Sequence, residues 1–178
     1  MKKLFIVSSL GLSALAAQAD DSTFFQASLT PDIAIYSRST EVDGLSLNIW
    51  GENPQHGLTL GFVNGSTGES SGFSWGLVNY SDSYTGVNFA IVNVNMNDFH
   101  GWQDGWVNVA EGDFAGFQSA YLVNYAKNMQ GLQLGLVNYT ENLNGVQIGL
   151  ANIAMNNPWF SDFPNKLATG FPIVNWSF

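Results

Sequence analysis

The chain has 178 residues, no cysteine, 11% charged residues, 14% aromatics and nineteen glycines. It has no disulfide framework or thiolate metal site, too many aromatics for a disordered chain, and far less charge than the quarter or so typical of a soluble globule. Beyond residue 19 only Arg38, Lys127 and Lys166 are basic, against fourteen Asp and Glu, so the net charge of that part is −11. No nucleic acid partner and no polybasic adhesion to anionic lipid are expected from such a balance.

Residues 1–19 read as a secretory signal. Lys2 and Lys3 precede an apolar stretch from Leu4 to Ala16, and Ala17-Gln18-Ala19 has the small-x-small form of a cleavage site. The apolar run is too short to span a bilayer as a helix. Residues 20–178 are then expected to form a single β-repeat domain, opening with three less regular segments, "FFQASL", "DIAIYS" and Gly44–Trp50.

From Gly44 onward one phrase recurs. Its first glycines are Gly44, Gly57, Gly72, Gly86, Gly101, Gly116, Gly131 and Gly145, spaced by thirteen to fifteen residues. A second small residue recurs at Gly61, Gly76, Ala90, Gly105, Gly135 and Gly149, and a closing asparagine at Asn64, Asn79, Asn93, Asn108, Asn124, Asn138 and Asn152. Within a copy the apolar residues alternate, as in Leu132/Leu134/Leu136 and Val146/Ile148/Leu150, with Gln133 or Gln147 between them. Period two with so many glycines means strand and not helix, so the fold is all-β.

Two architectures give this period. In a β-solenoid of 14–15-residue coils every copy is equivalent, and the asparagines stack as an internal ladder. In an antiparallel meander each copy is one strand plus a short turn, long enough to cross a bilayer. The apolar triplet is symmetric, so it serves strands of either direction. Pairing Leu134 with Ile148 would set Leu132 beside Leu150 across a three-residue hairpin loop.

Two copies break the pattern. "GWQDGWVN" (101–108) carries Asp104 at the central apolar position between Trp102 and Trp106, where hydrocarbon would disfavour it. "GFQSAYLVN" (116–124) has one extra residue, expected as a bulge near Ser119 and Ala120. Trp102, Asp104, Trp106 and His100 are therefore the candidate functional patch, with a second subunit or surface partner expected along the 101–125 strands. The insert 154–169, with its prolines and aromatics, is the expected plug or cap.

The chain ends in "FPIVNWSF", an amphipathic strand closed by an aromatic residue that resembles the sorting signal of outer-membrane barrels. Together with the signal and the low charge, it favours a small outer-membrane-type β-barrel of about ten to twelve strands. Leu and Ile would then face outer-membrane lipid, Gly and Gln a narrow lumen, and Trp50, Tyr80, Tyr125, Tyr139 and Trp176 the interfaces. The Gly-Leu-Gln-Leu-Gly-Leu-Val-Asn-Tyr repeats, the entry at 28–53 and the exit at 157–178 resemble a family of bacterial surface-repeat proteins. That resemblance implies a surface or outer-membrane location and no catalytic residues.

Little chemistry is expected. His100 with Asp98 and Asp104 is the sole candidate acid–base group, and a solvated turn explains it better. Neither an EF-hand loop nor a P-loop lysine is present, so no cofactor and no metal are expected. The functions in view are a non-enzymatic outer-membrane protein, structural or a narrow pore, and a surface-attached or secreted β-solenoid acting as adhesin or scaffold.

Overall fold

The computed structural model describes residues 22–178; the expected export signal lies outside them. Eight strands form one sheet: β1 (Ser22–Thr30), β2 (Ile33–Ala34), β3 (Glu41–Asn53), β4 (His56–Trp75), β5 (Val78–Phe89), β6 (Val92–Asn95), β7 (Phe99–Ala154) and β8 (Gly170–Ser177). The fifty-six residues of β7 are several consecutive coils, with corners that do not interrupt the strand.

Pairing between repeats is parallel. Leu45 lies beside Leu58, Gly72 beside Gly86 and then Gly101, and Val78 beside Val92 and then Val107. Each copy is thus one coil of a β-solenoid, the first of the two architectures that fit the period. The barrel expectation is corrected. Its hairpins would have been antiparallel, and its last strand would have returned to its first. Instead the order runs linearly from β2-β1-β3 to β8. β8 pairs antiparallel with the last coil, Trp176 beside Val146 and Val174 beside Ile148, and caps that end. At the other end the β1–β2 hairpin pairs Ser28 with Ala34.

The corners explain the first glycine of every copy after Gly44. Gly57, Gly72, Gly86, Gly101, Gly116, Gly131 and Gly145 all have φ between 122° and 147°, a region that side chains other than glycine avoid. A Cβ at Gly131 would also run into the carbonyl oxygen of Gly116, one coil earlier. The second small residue has a different reason. A Cβ at Gly76 or Gly149 would enter the space of the neighbouring asparagine amide and the preceding coil's backbone.

That asparagine builds the interior. Nδ2 of Asn48, Asn64, Asn79, Asn93, Asn108, Asn124 and Asn138 each donates to Oδ1 of the asparagine one coil on, at 2.8–3.2 Å. From Asn64 on, the second hydrogen goes to a main-chain carbonyl of that next coil, as in Asn138 to Ile148 O at 2.8 Å. Asn152 ends the series on the Phe171 carbonyl of β8 at 3.1 Å. The glutamines run the opposite way: Gln147 donates to Gln133, Gln133 to Gln118 and Gln118 to Gln103, at 2.8–3.1 Å.

Beside these ladders lies a small apolar spine, Tyr84, Phe99, Phe114, Met129 and Leu143, with Ala110, Ala126 and Ala154. Phe99 stacks on Tyr84 at 5.8 Å and on Phe114 at 5.1 Å. Gln and Asn do point inward, as a lumen lining would. What they line is a filled core, because each ladder rung occupies the space above the last. The narrow-pore expectation is corrected with the barrel.

The interfacial tyrosines are corrected too. Tyr80, Tyr125 and Tyr139 stand along the solenoid axis, the last two stacked at 5.6 Å. Tyr80 donates to Glu52 at 2.8 Å and accepts from Trp50 Nε1 at 3.1 Å. Burial is the main cause that pushes its hydroxyl up to about 12. Trp50 reaches this column by that bond from the neighbouring row of Val63 and Val78, and Trp176 Nε1 donates to the Pro164 carbonyl at 2.8 Å.

The glutamine ladder has one gap. Gln103 Nε2 and Asn88 Oδ1, buried in adjacent coils, both lack partners. Asn88 is one methylene too short to continue the series. Asn88→Gln is expected to close the gap and stabilise the protein by about 1 kcal/mol, raising the unfolding midpoint by about 2–4 °C. Thermal unfolding followed by circular dichroism checks this; a lowered midpoint would mean that the site has no room for the amide.

Candidate functional site: an exposed apolar face

With the interior taken by amides, the apolar triplets face outward. They form three rows along the solenoid axis. The outer rows include Leu58, Phe73, Val87 and Trp102 on one side, and Phe62, Leu77, Ile91 and Trp106 on the other. The middle row reads Ala27, Leu47, Leu60, Trp75, Phe89, Asp104, Ser119, Leu134, Ile148 and Val174. Trp75 is 58% exposed, Trp106 54%, Tyr121 71% and Leu150 72%. A contiguous exposed apolar surface of this kind marks an interaction site.

The face has relief. At its N-terminal end the β1–β2 hairpin stands beside the rows and encloses a groove of about 740 Å³. Leu29, Ile33 and Ile35 form one wall, and Leu47, Ile49, Phe62, Trp75 and Leu77 line much of the rest. The groove is of the size of small-ligand sites. Toward the middle, aromatic rings form a strip. Phe89 meets Phe73 edge-on at 5.5 Å and Trp102 at 4.8 Å, and Trp102 stacks on Phe117 at 5.8 Å.

The sequence-predicted patch falls on this strip only in part. Trp102, Asp104 and Trp106 share the face, with Asp104 in the middle row. Asp104 accepts a hydrogen bond from Ser119 Oγ, and Trp102 Nε1 donates to the same hydroxyl at 3.2 Å. His100 is not with them. It pairs with Thr85 just before the Gly101 corner and lies on a different side of the coil, exposed, near Asp113 and Asn128. His100 and Asp104 are therefore not brought together, because the corner at Gly101 turns the chain between them; Asp98, which accepts from Asp113 N, lies before that corner with His100. Among the described residues no three His, Cys, Asp or Glu side chains are placed to hold a metal.

The extra residue of the 116–124 copy is also placed. Asn108 Nδ2 donates to Ser119 O, just as Asn124 does to Leu134 O, so Ser119 and Ala120 occupy regular positions. The insertion lies among Tyr121, Leu122 and Val123, where Tyr121 meets Trp106 at 6.4 Å. The groove itself was not visible in the sequence. "DIAIYS" reads as a strand, and nothing in its alternation says that it folds back along the face.

On the opposite side the outward turns are polar. Asn156 donates to Asn142, Asn142 to Asn128 and Asn128 to Asp113, each at 2.6 Å. The segment 155–169 caps the C-terminal end, with Phe160 N donating to Leu167 O and Ala154 N to Thr169 O. Comparison with protein families, curated proteins and solved structures finds no match.

Asp104→Leu would make the middle row apolar at its charged position at the cost of one exposed-side hydrogen bond. The fold is expected to survive with stability changed by no more than about 1 kcal/mol. Binding of an apolar dye and self-association should increase. Loss of the native circular-dichroism spectrum would instead make Asp104 a structural requirement.

Proposed function

We propose that the chain is an exported, non-enzymatic β-solenoid that serves as a surface-attached or secreted scaffold and associates through its apolar face. The observation that carries this reading is the face itself, ten strands long and interrupted in its middle row by the hydrogen-bonded pair Asp104 and Ser119. The signal-like residues 1–19 and the resemblance to bacterial surface-repeat proteins support a location at the cell surface. A rigid repeat array, in which each coil contacts only its neighbours, suits display of an extended surface.

The test compares the parent with Phe62→Ser/Trp75→Ser, two exposed changes on the face that touch no ladder. The parent expressed with its signal is expected to be cell-bound or assembled, and released by alkaline carbonate without detergent. The variant should keep the same circular-dichroism spectrum and be recovered free and monomeric. A variant indistinguishable from the parent in both fractionation and sedimentation would contradict the reading.

A further inference from the structure

An apolar face of this size must be covered, and its shape and charge discriminate among covers. A bilayer is disfavoured because Asp104 lies in the middle row, near the centre of the face, where hydrocarbon would meet a carboxylate. The acidic chain is also repelled by anionic lipid. A protein surface is better suited, since water can reach or bridge a single buried polar pair.

The face is matched to itself. Its rows repeat at the strand spacing, so two copies can interdigitate as two sheets of a sandwich do. Nine strand spacings of about 4.8 Å and a width of about 18 Å give roughly 750 Å² per copy, or about 1,500 Å² in all. A stable complex buries about 1,200–2,000 Å². The relief then sets the orientation. The groove is at the N-terminal end, and Leu150, among the most exposed apolar side chains, stands on the same outer row at the C-terminal end.

We propose that the face binds a second copy of this chain in reversed orientation, about a two-fold axis in the plane of the face and across the solenoid. This rests on the reading of the face as an association surface and names its partner. Under that operation the outer row meets itself reversed. Leu150 of each copy enters the groove of the other beside Ile49, and Trp106 lies against Ile91. In the middle row Asp104 lies against Phe89, and Ser119 against Trp75, an indole N–H donor. The closed two-fold arrangement leaves no apolar face for further growth.

The absence of cysteine makes the test clean. Full-length protein is prepared as two single-cysteine variants, Ile49→Cys and Leu150→Cys, treated with a short bis-maleimide and sized by sedimentation. The mixture is expected to yield a cross-linked dimer, while either variant alone gives at least tenfold less. Leu150→Glu should convert the uncross-linked dimer to monomer with an unchanged circular-dichroism spectrum. Efficient cross-linking of either variant alone would overturn the reversed orientation. A purified chain that stays monomeric at high concentration would overturn the dimer. If that monomer were still cell-bound through Phe62 and Trp75, or bound neutral phosphatidylcholine vesicles, the association face would stand with another occupant. If it did neither, both readings would fall.

Discussion

A buried asparagine amide must find partners for both hydrogens and for its oxygen, and here the supply is another asparagine one coil away. From Asn64 to Asn138 each side chain donates once along the ladder and once to the next coil's backbone. An unpaired amide in that position would cost about 1–3 kcal/mol, so the repeat is held to one register. The rest of the coil follows. A small residue, glycine or alanine, must stand three positions before most of the asparagines, because a larger side chain there would take the amide's place. The corner must be glycine, because the stacked carbonyls leave no room and φ is positive.

The same constraint inverts the usual distribution of side chains. A coil of fourteen or fifteen residues has few inward positions, and amides, hydroxyls and a short apolar spine fill them. The leucines, isoleucines and tryptophans of the triplet are left outside. Stability is thereby separated from surface. The ladders hold the solenoid, and the outer rows are free to be used, which is why the proposed function rests on the face and not on the interior. Asp104 and Ser119 can interrupt those rows without breaking any ladder, since their side chains bond each other outside the coil.

Much of this was legible in the sequence. The repeat period, the all-β class and the inward placement of Gln133 and Gln147 with Leu134 and Ile148 outward all follow from spacing and alternation. The direction of neighbouring strands did not, because "LQLGL" reads nearly the same both ways. One residue held the answer. Counting by twos from Leu132 puts Asn138 on the outward side with Leu134 and Leu136, toward lipid in a barrel. Its burial requires the parity to change at Val137, where the coil turns although the strand runs on. His100 was misplaced for the same reason: closeness in sequence to Asp104 did not reckon with the turn at Gly101. The groove depends on the β1–β2 hairpin at the edge of the first coil, where Leu29, Ile33 and Ile35 form a wall beside the rows, which no local pattern reports.

Parallel stacking of successive copies underlies the ladders, the corners and the face alike, and spin labels on the outer face can verify it. In the solenoid Leu132 neighbours Val146, one strand spacing of about 4.8 Å away, and lies about 13 Å along the strand from Leu150. In an antiparallel hairpin the two distances exchange. Labels at Leu132→Cys and Val146→Cys are therefore predicted to show strong dipolar broadening, and labels at Leu132→Cys and Leu150→Cys little. The reverse result would contradict the solenoid and every conclusion built on it.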